Sequence, residues 1–212
     1  MEREYVAFIS YRHKPLDIEI AEKVHKLLEH YRVPKELRKN GKKNLGIVFR
    51  DRDELPLTSN LTENIYEALE HSEFLIVICT PETPKSMWVE KEISYFIEKH
   101  GRERVLIVLA DGTVEESVPK QITTIYAEDG QTIQQQIEPL CAYLAEAENK
   151  SGSLKKEFLR LAAAILGCPY DSLIQLPPGC YGSIQQEIEM RTGITTKLIM
   201  TISMNMIMNY LV

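Results

Sequence analysis

The chain has 212 residues, of which 44% are hydrophobic and 26% are charged, and its net charge is −6. This composition is that of an ordinary globular protein, and the length suits one full domain with an extension, or at most two small domains. The acidic balance gives no general attraction to nucleic acid or to an anionic membrane, so no nucleic-acid partner is expected.

Five short apolar runs, rich in Val and Ile, predict β-strands. In chain order they cover residues 6–10, 46–49, 74–80, 105–110 and 123–127. The third and fourth runs, FLIVICT and VLIVLA, are apolar on both faces. That pattern is typical of the central strands of a parallel sheet that helices cover on each side.

Helical stripes of apolar residues separate the first four runs. They lie at residues 20–31, 61–69 and 88–97, and Asn60 with Glu63 forms a capping-box pattern at the start of the second. Because strands and helices alternate, the sequence predicts an α/β fold with an open parallel sheet and helices on both faces.

The last third of the chain predicts helices rather than strands. Apolar residues between 133 and 144 have helical spacing, although Pro139 would kink or split that helix. After a Ser-Gly-Ser linker, a stripe from Leu154 to Ile165 predicts a further helix. We therefore expect one domain at residues 1–150, and a helical extension with an apolar tail at residues 151–212.

The tail carries one charged side chain, Lys197, from residue 192 onward. Its apolar run from Leu198 to Val212 is shorter than the ~20 residues that span a bilayer. Three alternatives remain open for it: a buried or partner-binding helix, a clipped membrane segment, and an unstructured end. Any association with a membrane would depend on this tail.

Cysteine and histidine spacing bears on the compartment and on metals. The four cysteines form no CxxC pair, and the N-terminus has no signal-peptide layout, which favours a cytoplasmic protein with reduced thiols. His25 and His30 are not spaced as a helical zinc pair, so no metal site is expected.

Glu92 interrupts the apolar stripe of the third predicted helix. At 100° per residue it shares an arc with Trp88, Ile93 and Phe96, whereas Glu90 falls on the opposite side. A side chain in the second turn of a helix tilts toward the N-terminus. Glu92 is therefore expected to face the carboxyl-end edge of the sheet, where open parallel sheets bind ligands.

Three further segments are expected at the same edge. Ser10, Tyr11 and Arg12 follow the first strand, a charged loop, RDRDELPLTSN, begins at Arg50 after the second, and TPETPKS follows the third and leads into the helix of Glu92. Each feature alone has an ordinary structural explanation, such as a paired carboxylate or a solvated turn, but their convergence favours a ligand site. The sequence contains neither GxGxxG nor GxxxxGKS/T, which disfavours a Rossmann dehydrogenase and a P-loop NTPase.

Three segments, in order, resemble a TIR (Toll/interleukin-1 receptor) domain of the bacterial, NAD-cleaving kind: YVAFISYRH, GIVFRDRDELPLTSNL and FLIVICTPETPKSMWVEKEI. The resemblance covers residues 4–128 and implies a flavodoxin-like, five-stranded parallel sheet. The sequence departs from it at Val6, where an acidic residue is frequent. It departs again at residues 55–58, which lack the usual Pro-Gly and its conformational freedom.

The resemblance also implies a function. It implies an NAD+ hydrolase that cleaves the nicotinamide–ribose bond to nicotinamide and linear or cyclic ADP-ribose, with Glu92 as the catalytic residue. NAD+ is then a substrate, and no cofactor is implied. The residues implied to contact the substrate or to order its loop are Ser10, Tyr11, Arg12, Arg50, Asp51, Asp53, Leu57 and Trp88.

Assembly with other TIR domains is implied as well, on which activity could depend, together with a role in bacterial defence signalling. The alternative is a non-enzymatic TIR–TIR interaction module in signal transduction, in which Glu92 is structural.

Overall fold

A computed structural model describes residues 4–38, 41, 43–50, 61–126, 132–137, 139, 141–144 and 151–174. The strands within these residues are β1 (Tyr5–Ser10), β2 (Val48–Arg50), β3 (Ser72–Cys79), β4 (Val105–Leu109), β5 (Thr124–Tyr126), β6 (Ile133–Gln136) and β7 (Cys141–Tyr143). The α-helices are α1 (Pro15–His30), α2 (Leu61–Glu70), α3 (Met87–His100), α4 (Val114–Ser117), α5 (Lys120–Thr123), α6 (Ser151–Leu166) and α7 (Tyr170–Ile174). Single 3-10 turns cover Lys35–Leu37, Thr83–Lys85 and Arg102–Arg104.

Five parallel strands form the main sheet, in the order β2-β1-β3-β4-β7. From β1 the chain moves outward to β2, and from β3 it moves in the opposite direction to β4. The gap between the carboxyl ends of β1 and β3, where Ser10 pairs in register with Val77, is therefore the topological switch point. The predicted α/β fold with an open five-stranded parallel sheet is confirmed.

The fifth strand of this sheet differs from the predicted one. The run predicted at residues 123–127 does form a strand, but β5 pairs antiparallel with β6 in a separate two-stranded sheet. The place beside β4 belongs to β7, which lies in the segment predicted to be helical. Cys141 and Ala142 are buried there, whereas Ile133 is half exposed. The helical spacing was misleading because pairing with β5 and β4 outweighs it, and Pro139 interrupts helical hydrogen bonding.

Alternate side chains of β1 enter two different cores. Ala7, Ile9 and Tyr11 pack on the face that α1 and α6 cover, and Phe8 packs on the face that α2 and α3 cover. Successive side chains of a strand point to opposite faces, so the next residue on the Phe8 side is Ser10. The last side chain of β1 is thereby directed toward α3.

Helix α6 packs into the same core as the sheet. Phe158 and Ala162 are buried against the α1 side, and the Phe158 ring meets that of Tyr31 edge-on with centroids 5.7 Å apart. Leu173 of α7 is fully buried in this core as well. The part of the predicted extension that the structure describes is therefore built onto the sheet, and the apolar tail from residue 175 lies outside the described residues.

Within the described ranges, no helix has both the length and the apolar character needed to cross a bilayer.

Candidate active site

Glu92 is buried in the second turn of α3. The residue is 7% exposed and lies among Val89, Ile93 and Phe96, all of which are buried. Glu90, one of its neighbours along the helix, is exposed and accepts a hydrogen bond from Gln121 Nε2 at 2.6 Å. Glu92 therefore lies on the apolar face of α3, as the helical phase of the sequence predicts.

Ser10 is a hydrogen-bond partner of this carboxylate. Its Oγ donates to Oε2 of Glu92 at 2.5 Å, and Ser10 itself is 1% exposed. The two residues are 82 positions apart in sequence. They meet because β1 and β3 are neighbours in the sheet, and the turn after β3 leads into α3 beside the end of β1. A hydrogen bond to a carboxylate is about twice as strong as one between neutral groups. The Glu92 side chain is thus held in one orientation at the switch point.

Arg12 bridges the two strands of the switch point. Its Nη2 donates to Oγ1 of Thr80, directly after β3, at 2.8 Å, and its Nε lies 3.0 Å from Oδ2 of Asp17 in the first turn of α1. Asp17 is fully buried, and burial raises the pKa of its carboxyl group, an effect that the Arg12 guanidinium opposes. The guanidinium is fixed from both sides.

A threonine turn connects this bridge to α3. The backbone N–H of Thr80 donates to Oγ1 of Thr83 at 2.9 Å, and the two hydroxyl oxygens are 3.2 Å apart. Both threonines are buried. The turn leads into the helix that carries Glu92, so the Arg12 contact and the Glu92 contact belong to one continuous piece of structure.

Tyr11 and Arg50 are placed less directly at the edge. The Tyr11 ring is 4% exposed, belongs to the α1-side core and meets the His13 ring edge-on at 5.0 Å. Arg50 ends β2 beside β1, and its Nη1 lies 3.3 Å from Oε1 of Glu22. The structure thus brings Tyr11 into the core rather than to the edge, and Arg50 to the far side of β1 from the switch point.

Trp88 is more exposed than its place in the predicted apolar arc suggests. Its residue exposure is 62%, and Lys91 Nζ lies 5.4 Å from the centre of its ring. The indole lies one turn before Glu92 on α3, at the edge of the arc rather than in the core. An aromatic face of this kind can stack against a ligand. Three other predicted site residues lie outside the described part of the chain: Asp51, Asp53 and Leu57.

Sequence reasoning missed Asp17, and it assigned no role to Thr80 and Thr83 although it placed their segment at this edge. A signal for Asp17 was available, because it shares a helical phase with Ile20, Ala21 and other buried residues of α1, just as Glu92 does with the apolar residues of α3. The threonines carried no comparable signal, because Ser and Thr after a strand are ordinary turn residues.

A cavity of about 550 Å³ lies elsewhere, at the opposite end of the sheet. Its lining includes Val105 and Ile107 of β4, Cys141 of β7, and Leu161 of α6. Because these residues surround the amino end of β4, the cavity is separate from the site around Glu92. Among the described residues no group of three or more His, Cys, Asp or Glu side chains is arranged to hold a metal ion.

Comparisons with known proteins place the sequence pattern in a family. A family model described as TIR domain matches residues 7–141. An NAD(+) hydrolase, ApTIR, from Actinoplanes sp. is 32% identical over 111 residues, which make up 51% of this chain but only 14% of that protein. The chain therefore spans a small part of that relative. The TIR domains of the activated Roq1 resistosome, which directly recognizes the pathogen effector XopQ, align at 19% identity with a TM-score of 0.39. That alignment covers 50% of this chain and 57% of the other.

Proposed function

The chain belongs to the TIR domain family, and from this premise we propose that it is an NAD+ hydrolase with Glu92 as its catalytic residue. The 32% identity to the Actinoplanes NAD(+) hydrolase supports the activity. The observation that carries the assignment of the site is the buried Glu92 carboxylate, which Ser10 orients at the switch point of the sheet. A carboxylate is expensive to bury, and its place at the edge of the sheet where ligands bind favours a chemical role.

The reaction needs stabilisation of positive charge more than it needs acid catalysis. When the bond between C1′ of the ribose and the nicotinamide nitrogen breaks, its electron pair moves to the ring, and nicotinamide leaves as a neutral molecule. The ribose becomes oxocarbenium-like, as in glycoside hydrolysis. The oxygen of water then bonds to C1′ and a proton is released to solvent. NAD+ is the substrate, and the proposal involves no further cofactor.

Glu92 can supply this stabilisation as a carboxylate, because it is buried and receives a hydrogen bond from Ser10. A fixed charge that is largely shielded from solvent acts more strongly on developing charge than the same group in solution. A carboxylate has several acceptor sites, so the group can accept a hydrogen bond from a ribose hydroxyl in addition to the one from Ser10. Trp88, one turn away and exposed, can stack on the substrate.

Release of nicotinamide from NAD+ tests the proposal. Glu92→Gln keeps the shape of the side chain and removes its charge, so we expect kcat to fall at least ~100-fold. Glu90→Ala is the matched control: it removes an exposed carboxylate of the same helix and should leave turnover near that of the wild type. Equal activity of wild type and Glu92→Gln would contradict the catalytic assignment.

Self-association is the second part of the proposal. Two large apolar residues adjoin at the start of α3, Met87 and Trp88, and they are 68% and 62% exposed. Exposed apolar residues of this size are common at protein interfaces. Measuring the same turnover over a range of protein concentrations separates the alternatives. Specific activity that rises with concentration supports assembly-dependent catalysis, and association without turnover supports the non-enzymatic interaction module.

A cytoplasmic location and a role in bacterial defence complete the proposal. The described cysteines, Cys79, Cys141 and Cys168, are free thiols, which agrees with a reducing compartment. The defence role depends on the family resemblance alone. It predicts that NAD+ falls during phage infection in cells that make the wild type, but not in cells that make Glu92→Gln.

A further inference from the structure

Asp17 is a fully buried carboxylate that the proposed reaction does not use. It lies in the first turn of α1, on the same face as the buried residues Ile20 and Val24. Burying a charged group is costly unless an opposite charge accompanies it, and the cation beside Asp17 is Arg12, 3.0 Å away. Replacing a buried ion pair with apolar residues of similar volume is often neutral or stabilising, so stability alone does not explain this pair.

The contacts of Arg12 leave part of its guanidinium available. A guanidinium carries five N–H groups. One, on Nε, faces Asp17, and one, on Nη2, donates to Thr80. Three others on the Nη side are not engaged by described residues. The side chain is 18% exposed and its Nε is buried, so part of the remaining side chain reaches solvent.

The Nη edge of Arg12 lies where a group that binds an anionic ligand would be expected. Arg12 follows β1 by two residues and Thr80 follows β3 directly, so the guanidinium lies across the switch point beside the residues that hold Glu92. Open parallel sheets bind ligands in this crevice. The fork of Arg suits the oxygens of phosphate groups, and the pyrophosphate of NAD+ carries such oxygens.

We infer that Asp17 is a positioning residue, which holds the Arg12 guanidinium so that its Nη edge binds the pyrophosphate of the dinucleotide. The inference depends on the proposed NAD+ cleavage and assigns a role to a residue that does not itself touch substrate. Without Asp17, the long Arg12 side chain would have to be ordered when the substrate binds, and that entropic cost would lower affinity.

The pyrophosphate is remote from the bond that breaks. A contact to it has the same strength in the bound substrate and in the transition state, so its loss should raise KM and leave kcat nearly unchanged. General damage to the site would instead lower kcat. A raised KM with an unchanged kcat therefore distinguishes a positioning role from a merely structural one.

Steady-state kinetics of Asp17→Ala and Asp17→Asn on NAD+ test the inference, with the full chain throughout. We expect Asp17→Ala to raise KM about tenfold with kcat within about twofold of wild type. Asp17→Asn should recover part of the affinity, because its amide oxygen keeps a polar acceptor beside the guanidinium. Glu19→Gln is the control: it changes an exposed carboxylate of the same helix, paired with Lys23 at 2.9 Å, and should alter neither constant.

Product inhibition and a double-mutant cycle localise the effect. The inhibition constant of ADP-ribose, which contains the pyrophosphate, should rise in Asp17→Ala as KM does, and that of nicotinamide should not change. Adding Asp17→Ala to Arg12→Ala should produce no further rise, because the two residues act as a unit. If Asp17→Ala does not fold, Asp17→Leu, which is similar in shape and accepts no hydrogen bond, takes its place.

Three results would overturn the inference: an unchanged KM in folded Asp17→Ala or Asp17→Leu, an equal loss of affinity for nicotinamide, or additive effects with Arg12→Ala. Each of these can occur in an active enzyme and would leave the proposed NAD+ cleavage intact. A wild-type protein that cleaves no NAD+ would instead overturn the proposed function, and the role of Asp17 with it.

Discussion

Two buried carboxylates lie beside the switch point, and their partners differ. Glu92 accepts a hydrogen bond from a neutral hydroxyl, whereas Asp17 faces a guanidinium. A hydroxyl donates to a carboxylate without bringing a charge of its own, whereas a guanidinium compensates the charge of the carboxylate beside it. These different contacts are the basis for the two proposed roles, Glu92 in catalysis and Asp17 in positioning Arg12.

Ser10→Ala tests the orientation of Glu92. The substitution removes the donor to Oε2 and so loosens the orientation of the carboxylate, and we expect kcat to fall about tenfold to 100-fold while KM changes little. Ser10→Thr, which keeps a hydroxyl, is the control and should retain more activity than Ser10→Ala. The measurement is nicotinamide release at saturating NAD+. Unchanged kcat in a folded Ser10→Ala protein would show that this hydrogen bond has no part in catalysis.

Asp17 should also make stability depend on pH. Burial raises its pKa in the folded protein, so the folded state binds its proton more tightly than the unfolded state does. Stability from this residue is therefore present at low pH and is lost as pH rises from the unfolded pKa through the folded one. The Asp17→Asn protein does not lose stability in this way, because its side chain does not titrate. Its free energy of unfolding relative to wild type should grow as the pH rises above about 4, the ordinary pKa of an aspartate, measured by urea denaturation. A difference that does not change with pH would contradict the raised pKa.

At the scale of elements, most strands and helices could be predicted from the sequence. The prediction was wrong in one segment, at residues 133–144. Continuous apolar runs such as FLIVICT predict buried central strands because both faces of β3 and β4 are covered. The segment at residues 133–144 could not be assigned in this way. Its apolar residues have helical spacing. It forms strands because it pairs with strands far away in sequence, as Cys141 does with Ile107. Local periodicity carries no information about such partners.

Helix α6 provides a prediction at this scale. Phe158 is 2% exposed and packs against Tyr31 of the α1 side, so Phe158→Ala should leave a cavity and lower the free energy of unfolding by about 3–5 kcal/mol. Ala164, exposed on the same helix, gives the control substitution Ala164→Ser, which should change stability by less than about 0.5 kcal/mol. Chemical denaturation measures both. If Phe158→Ala unfolded like the wild type, α6 would be an appendage rather than part of the sheet's core.

At the scale of the whole molecule, strand order creates the site. The chain leaves β1 and β3 in opposite directions, and the crevice between their carboxyl ends receives Ser10 and Arg12 from β1, Thr80 from β3 and Glu92 from α3. The sequence predicted this edge because carboxyl ends of parallel strands share one side of a sheet. It could not predict which side chains meet there. Tyr11 and Arg12 are adjacent in sequence, yet one enters the core and the other bridges the crevice.

A crystal structure of Glu92→Gln with NAD+ bound tests this account most directly, because the substitution should preserve the site and slow cleavage. We expect the nicotinamide ribose within hydrogen-bond distance of the side chain at position 92, and the pyrophosphate at the Nη edge of Arg12. NAD+ seated instead in the cavity beside β4 and β7, at the opposite end of the sheet, would contradict the assignment of the site to the switch point.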